Sequence, residues 1–179
     1  MHQMKKNRLA TLLVIFLISC AAKAPVAKIN YMGIEAVGFS YHLLFAADVP
    51  ILELFSENRH QRIVFSELVC SLDTDHNFDI EHKLKYFAQS GFKFLKQTTI
   101  AEKKAYVFDA DIEFREAPAD EMGNDQSIAK EKLTILLKDK KSIPCKIRMT
   151  VDFSTPYYSE TFLVPATDIL AAVSNRLVQ

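Results

Sequence analysis

Alternation of apolar and polar side chains runs through two stretches and constrains the fold more than any other feature of the chain. From Tyr106 to Phe114, and again from Ile143 to Phe153, nearly every second residue is apolar, and the residues between are mostly charged or polar. This spacing places the apolar side chains on one face of a strand and the polar ones on the other. Both stretches are therefore predicted to be strands with one buried face and one mostly solvated face.

The same spacing, less regular, predicts two earlier strands. One covers residues 39–47, with Phe39 and every second residue after it on the buried face. The other runs from Val64 to Leu72, with both of these on the apolar side and Glu67 and Ser71 on the polar side. Four strands of this kind in one chain favour an antiparallel sheet.

Two short helices are predicted beside the strands. Ser127 can cap the first, whose buried stripe would hold Ile128, Lys132, Ile135 and Leu136. Thr167 can cap the second, over residues 168–177, in which Ile169, Val173 and Leu177 repeat every four positions. Residues 79–89 fit both a strand and a helix, with the strand slightly favoured. The predicted fold is mainly β, an antiparallel β-sandwich with a short helical insertion and a C-terminal helix.

The first twenty residues have the organisation of an export signal. Lys5, Lys6 and Arg8 precede a mostly apolar stretch over residues 9–18. This stretch is shorter than the roughly 20 residues that a transmembrane helix needs, but it suits the core of a cleaved signal peptide.

Leu17-Ile18-Ser19-Cys20 resembles the lipobox of bacterial lipoproteins. The resemblance implies that the Cys20 thiol carries a diacylglycerol, that residues 1–19 are removed and that the new amino group is acylated. Several acyl chains would anchor the protein durably. Ala21, where inner-membrane lipoproteins often carry Asp, implies the outer membrane of the bacterial envelope. The alternative is an ordinary signal peptide with an incidental cysteine.

The predicted organisation is a signal peptide over 1–19, a lipidated tether over 20–26 and a single domain over 27–179, a length that suits one core. Without residues 1–19 the chain has 19 basic and 22 acidic side chains, a net charge near −3. This balance argues against a nucleic-acid partner. It also gives no reason to expect attraction to anionic lipids beyond the anchor itself.

Two cysteines remain once Cys20 carries lipid. Cys70 and Cys145 both lie on the apolar side of a predicted strand, so both are expected inside the fold. In an exported protein they are a candidate disulfide. The alternative, which the sequence leaves open, is two buried free thiols that act as small hydrophobic residues.

No motif in the chain predicts a metal or cofactor site. The segment from Asp73 to Asn77 resembles the start of an EF-hand loop, but Phe78 and Leu84 stand where that loop needs Gly and Glu. His42, inside an apolar strand, is interpreted as a structural histidine. A Gly-rich phosphate loop, a Gly-x-Ser-x-Gly elbow and a Cys-x-x-Cys pair are absent from the sequence.

Asp109, Asp111 and Glu113 could imitate paired catalytic carboxylates, because all three fall on one face of one predicted strand. That face is expected in water, where nothing would raise a carboxyl pKa to the value a general acid needs. We interpret them as a charged face and expect no enzyme. Tyr157 and Tyr158 are candidate contact residues, because neighbouring strand residues point to opposite faces.

The last third of the chain resembles a known domain. The residues that carry the resemblance are Ile143-Pro144-Cys145-Lys146-Ile147, Thr150-Val151-Asp152-Phe153, Thr155-Pro156 and Phe162-Leu163-Val164-Pro165. Together they resemble the close of a water-stress and hypersensitive-response domain, the sandwich of the late-embryogenesis-abundant group that also occurs in bacterial lipoproteins linked to desiccation tolerance. The resemblance extends loosely over residues 26–166. The chain departs from the pattern at Asp48-Val49-Pro50, where that family usually has Asn-Pro, and at Cys145, where an aromatic residue is common.

Three functions follow as hypotheses. The first is a non-catalytic envelope lipoprotein whose sandwich binds a partner or, as the resemblance implies, protects against water stress. The second is a structural subunit that tethers a larger envelope assembly or secretion machine, with a protein as its partner. The third is a carrier of lipid or another apolar ligand, which needs a cavity between the sheets.

Overall fold

The computed structural model describes residues 24–38, 40–55, 62–120, 123–152 and 155–175. These residues form ten strands: β1 (Ile29–Val37), β2 (Ser40–Ala47), β3 (Ile63–Ser71), β4 (Tyr86–Ser90), β5 (Phe92–Ile100), β6 (Lys103–Glu116), β7 (Gln126–Ser127), β8 (Ser142–Val151), β9 (Tyr157–Tyr158) and β10 (Phe162–Pro165). Two α-helices accompany them, α1 (Lys130–Leu137) and α2 (Ala166–Asn175), together with a 3₁₀ turn at Ile51–Glu53.

All strand pairs are antiparallel, and they join into one sheet in the order β1-β2-β6-β4-β3-β8-β10. β5 and β7 pair with β6 beside this path, and β9 pairs with β8. The first and last strands of the path, β1 and β10, lie close together, so the sheet nearly closes on itself. The predicted fold class is confirmed: the chain is mainly β, with a helical insertion before β8 and a helix at its C-terminal end.

The core fills the space inside this curved sheet. Phe45 of β2 lies at its centre, with its ring centroid 5.4 Å from that of Phe108, 5.7 Å from Phe92 and 6.0 Å from Phe162. Helix α2 packs against β1, where the hydroxyl of Tyr31 donates a hydrogen bond to Asp168 Oδ2 at 2.9 Å. Phe45, Phe108 and Phe162 are buried, so these three rings contribute nearly their whole apolar area to stability.

The two most regular sequence patterns correspond to the two strands that organise the core. β8 alternates buried and half-buried residues over its whole length. β6 buries Phe108, Ala110, Ile112 and Phe114 of the predicted apolar face and half-buries Tyr106, whereas Val107, predicted on the other face, is also buried. β2 begins at Ser40 and buries Tyr41, Leu43 and Phe45. Phe39 lies outside the described residues.

Helix α1 differs from its prediction in both start and face. Ser127 does not cap it, because Ser127 pairs with Arg115 as part of β7. The helix begins three residues later, and its buried side chains are Leu133 and Leu137. Ile135, expected in the buried stripe, is 73% exposed. Ile128, Lys132 and Leu136 are half-buried, so the predicted stripe was wrong at Ile135, and the fully buried residues lie one position after Lys132 and Leu136.

Two further predictions need adjustment. Helix α2 begins at Ala166, so Thr167 lies inside it; Ile169 and Val173 are buried as expected, and Leu177 lies outside the described residues. The ambiguous segment 79–89 contains a turn at its start and becomes β4 only from Tyr86 onward.

The predicted parity of β3 is wrong at its beginning. The register slips between Ile63 and Phe65, and Val64, expected inside, is 61% exposed. The predicted polar face is also covered, because Glu67 and Ser71 are both buried. A bulge moves a side chain to the other face of the sheet, and a period-two pattern cannot anticipate it.

Candidate functional site

A long connection covers one outer face of the sheet. Residues 72–85, which we call the strap, join β3 to β4 and fold back over β3 and β8. Phe78 and Leu84 of the strap pack with Val69 of β3 and Phe87 of β4 in a second, smaller core. The strap therefore buries the side of β3 that the sequence pattern assigned to water.

Hydrogen bonds at both ends of the strap fix its path. The hydroxyl of Ser71 donates to the carbonyl of Asp75 at 2.5 Å, and the Asp75 carboxylate lies 2.5 Å from Nε2 of His82. The pKa of Asp75 is lowered, first by the backbone N–H of Asn77 and then by His82. The segment from Asp73 to Asn77, which resembles the start of an EF-hand loop, is thus a turn held by its own side chains. No group of metal ligands is found in the described part of the chain.

An ion pair lies on the covered face of the sheet beside the strap. Glu67 of β3 and Arg148 of β8 are direct cross-strand partners, and Arg148 Nε donates to Glu67 Oε1. Only 5% of Glu67 is exposed, and this burial raises the pKa of its carboxyl group even though Arg148 acts in the opposite direction. Arg148 also donates from Nη1 to the carbonyl of Asp79, so it links the sheet to the strap.

Two clefts flank residues 80–82 of the strap. The first, of about 310 Å³, is lined in part by Arg148, Gln89 and His82. The second, of about 430 Å³, is lined in part by Tyr158 and His82. These side chains can donate and accept hydrogen bonds, but the buried carboxylate beside them is already bound to Arg148. The clefts are suited to recognise a polar group.

Cys70 and Cys145 form a disulfide between β3 and β8. They are direct cross-strand partners with Cα atoms 4.0 Å apart, and both residues are fully buried in the main core. The bond joins two neighbouring strands across a sequence separation of 75 residues. Cys20, the predicted lipid attachment residue, lies outside the described residues.

The neighbouring tyrosines of β9 have different surroundings. Tyr157 is 7% exposed; its hydroxyl accepts from the backbone N–H of Ala27 at 2.9 Å and donates to the carbonyl of Pro25 at 3.2 Å. Burial raises its pKa. Tyr158 is half-buried, accepts from the backbone N–H of Ile80 at 3.2 Å and lines the second cleft. Tyr157 holds the N-terminal segment, and Tyr158 is the accessible member of the pair.

The predicted charged face of β6 is only partly in water. Asp111 and Glu113 are exposed, whereas Asp109 is 7% exposed. The carboxylate of Asp109 lies 3.2 Å from His42 Nδ1 on β2 and 3.1 Å from Lys93 Nζ on β5. The prediction that all three face solvent was wrong for Asp109, because His42 and Lys93, from the strands on the two sides of β6, approach its carboxylate. His42 is a structural histidine in this pairing.

Sequence reasoning missed the most exposed element of the sheet. β5 and the first half of β6 form a hairpin, and in the described chain β5 pairs with no strand other than β6. Three of its apolar residues, Phe94, Leu95 and Ile100, are 41–48% exposed. A bulge between Phe94 and Lys96 breaks the alternation that would have revealed the strand. The available signal was the run of apolar and lysine residues over 92–96.

Comparisons with family models, with curated proteins and with solved structures find no match to this chain. In the ranges that the structure describes, no helix combines the length and apolar character needed to cross a bilayer.

Proposed function

We propose that the chain is a lipid-anchored, non-catalytic protein of the bacterial envelope whose sandwich acts as a binding module. The observation that carries the proposal is the buried disulfide between Cys70 and Cys145. Disulfides form and persist in oxidising compartments and are rare in the cytosol of mesophilic bacteria. A core cystine therefore supports export, which is the event that the lipobox at Leu17–Cys20 also requires.

The start of the domain supports a short tether. Ala27 is fully buried, and its carbonyl accepts a hydrogen bond from Glu160 N–H at 2.9 Å. Tyr157 holds both Ala27 and Pro25. The chain is thus fixed to the fold within a few residues of Cys20, and four residue steps from Cys20 to Ala24 span at most ~14 Å. An acyl anchor at Cys20 would keep the domain beside the membrane, with the outer membrane favoured by Ala21.

Protection against water stress is the activity that the resemblance in the last third of the chain supports best. The mainly β fold and the order of strand, helix, strand and terminal strand are compatible with it. Fold alone does not specify function, so this activity needs its own test. Loss of the gene should lower survival of drying or osmotic shock, and a copy of the wild-type gene should restore it; unchanged survival would remove the stress role.

The packing of the core argues against the carrier hypothesis. Phe45, Phe108 and Phe162 meet in the space between the two sides of the sheet, where a carried lipid would have to lie. The two clefts that flank residues 80–82 lie outside this core, and charged or polar side chains form part of the lining of each. A lipid carrier would need an apolar cavity in place of these aromatic rings.

A tethering subunit is the second candidate, and one observation favours it. The free side of β5 presents backbone donors and acceptors that a partner strand could pair with, beside the exposed Phe94 and Leu95. Addition of a strand to an open edge is a common way to bind an extended peptide. Crosslinking in intact envelopes should then capture a specific protein at β5, and a crosslinker placed there that yields only monomer would count against this role.

Incorporation of radiolabelled palmitate tests the principal proposal. The wild type should take up label and remain with the membrane fraction, and a Cys20→Ala variant should do neither. Ser19→Ala is the matched control, because it keeps a small residue before the cysteine and should be labelled like the wild type. Equal membrane attachment of the wild type and Cys20→Ala would contradict the proposal.

A further inference from the structure

We propose that the tip of the β5–β6 hairpin docks on the anionic phospholipid headgroups of the membrane that holds the anchor. We define the tip as residues 96–104, which include the turn at Ala101 and Glu102. The inference rests on the proposed acylation of Cys20. It adds a second, electrostatic contact between the domain and the bilayer.

The strand register places the tip and the beginning of the domain at the same end of the sheet. Ile29 pairs with Ala47, Ala47 with Tyr106, and Tyr106 with Gln97. These four residues lie in one row across four strands. From this row, the chain before Ile29 leads toward Cys20, and the hairpin continues in the same direction from Gln97 and Tyr106 to its turn.

The lengths of the two segments bring them to the same surface. Ile100, three residues beyond Gln97, projects ~10 Å past the row at the rise of an extended strand. The tether from Cys20 to Ala24 extends at most ~14 Å. A domain held this closely must turn the end that carries Ala24 toward the bilayer, and the tip extends past the row of paired residues at that end.

The tip carries positive charge on an otherwise acidic chain. The tip, residues 96–104, contains three lysines and one acidic residue, a net charge of +2, whereas the chain without residues 1–19 is near −3. Lys93 is paired with Asp109, but among the described residues Lys96, Lys103 and Lys104 form no salt bridge. All three are exposed, so their charges are available to an anionic surface.

The apolar content of the tip favours a membrane over an acidic protein. Ile100 is 41% exposed and lies at the turn itself, next to Lys103 with which it pairs. In a bilayer surface the anionic headgroups lie outside an apolar layer. The lysines of the tip can contact the headgroups while Ile100 at the turn reaches the apolar layer. An acidic peptide would be expected to use the length of β5, not its end.

The test uses the full acylated chain on vesicles of phosphatidylcholine with and without phosphatidylglycerol. A polarity-sensitive fluorophore is attached in one variant at Glu102→Cys, in the tip. In the other it is attached at Asp139→Cys, in the connection between α1 and β8 at the opposite end of the sheet. We expect the tip probe to enter an apolar environment and to be quenched by brominated lipid only when phosphatidylglycerol is present. The probe at residue 139 should stay in water on both vesicles.

Neutralising the tip should release it while the anchor keeps the protein bound. A lysine beside an anionic membrane raises the binding equilibrium constant by a factor of about five. Lys103→Gln and Lys104→Gln should therefore each lower the ratio of docked to free tip by about that factor. Lys138→Gln and Lys141→Gln, at the other end, are the matched controls and should leave the ratio unchanged. Added salt should weaken docking of the wild type, because it screens the exposed charges.

The outcomes separate this inference from the proposed function. A tip probe that stays in water on anionic vesicles that carry the protein would overturn the inference and leave the anchor intact. Quenching that is equal on both vesicles would also overturn it, because charge would then play no part. A tip free on vesicles but protected in intact envelopes would point to a protein partner instead. Failure of the chain to float with any vesicle would contradict the anchor.

Discussion

Two regions of the same sheet differ in burial and in strand pairing. One is the pair of strands β3 and β8, which the disulfide joins, and the other is the β5–β6 hairpin. Around Cys70 and Cys145 the inner face is fully buried, the outer face lies beneath the strap, and both edges are paired. Within the described ranges β5 pairs with a strand on one side only, and most of its residues are exposed. The difference indicates that stability is concentrated in the first region, which leaves the second free to contact a surface.

The largest difference between the two regions should follow loss of the disulfide. The loop-entropy model gives a contribution of ~4.5 kcal/mol for a bond that closes 75 residues. The double variant Cys70→Ala with Cys145→Ala should lower the free energy of unfolding by about that amount in denaturant titrations. Phe94→Ala on the exposed hairpin is the control and should cost about 1 kcal/mol or less, since an exposed ring loses little buried area. Similar losses of unfolding free energy in the two variants would contradict the claim that stability is concentrated around the disulfide.

The ion pair beside the strap should respond unequally to the loss of its two members. Arg148→Met leaves a buried carboxylate without its cation and should cost about 3 kcal/mol at neutral pH. Glu67→Gln should cost less than about 1 kcal/mol, because burial already raises the pKa of Glu67 and a neutral side chain avoids that penalty. The double variant Glu67→Gln with Arg148→Met should recover most of the loss. Equal costs for the two single variants would contradict this account.

The pH dependence of the same pair has a definite sign. A carboxyl whose folded-state pKa is raised is stabilising when protonated, and this contribution is lost as the pH rises from the unfolded value through the folded value. Relative to Glu67→Gln, the wild type should therefore lose stability as the pH rises above about 4.5. The stability of Arg148→Met should fall further as the pH rises, because the buried carboxylate then has no cation beside it. In acid, where Glu67 is protonated, this loss of stability should disappear. Thermal unfolding as a function of pH measures both effects.

The two tyrosines of β9 provide a smaller, local comparison. Tyr157→Phe removes a buried hydroxyl with two backbone partners and should cost about 1–2 kcal/mol. Tyr158→Phe removes one bond at a half-exposed hydroxyl and should cost about 0.5 kcal/mol. Amide hydrogen exchange at Ala27 should accelerate in the first variant only. Faster exchange there in Tyr158→Phe would show that the N-terminal segment is held differently.

The smallest effect is expected at the hairpin turn. Ala101 and Glu102 have φ values of 47° and 66°, a left-handed conformation that two-residue hairpin turns usually fill with Asn and Gly. Glu102→Gly should stabilise the protein by about 0.5 kcal/mol, because glycine adopts this conformation without a steric penalty. Glu102→Ala removes the same charge but keeps the penalty, so a gain of equal size in that variant would assign the effect to charge.

The strands that were predictable from sequence are those whose environment is uniform along their length. β8 has the core on one side throughout, and the alternation from Ile143 to Phe153 predicted a strand that the structure has at Ser142–Val151, with Phe153 outside the described residues. The covered face of β3 was not predictable, because the strap that buries Glu67 is a separate segment whose position depends on Phe78 and Leu84. The burial of Asp109 was not predictable for the same reason, since its partners His42 and Lys93 come from β2 and β5.

Features that depend on how strands pair were harder to predict than the strands themselves. The pairing of Cys70 with Cys145 needed the register of β3 against β8, which no single strand pattern contains. The positive charge of the hairpin was not apparent from composition. The net charge of the whole chain is near zero, and this value does not indicate that four lysines lie on one hairpin. Only the register that aligns Ile29 with Gln97 through β2 and β6 shows that this hairpin and the tether share one end.

Intact mass spectrometry of the protein extracted from envelopes tests the central claim most directly. The account predicts a chain that begins at Cys20, carries the mass of a diacylglycerol and an amide-linked acyl group, and lacks two hydrogens because Cys70 and Cys145 are joined. A mass that retains residues 1–19, or that contains no lipid, would contradict the claim that this domain works while fixed to a bilayer.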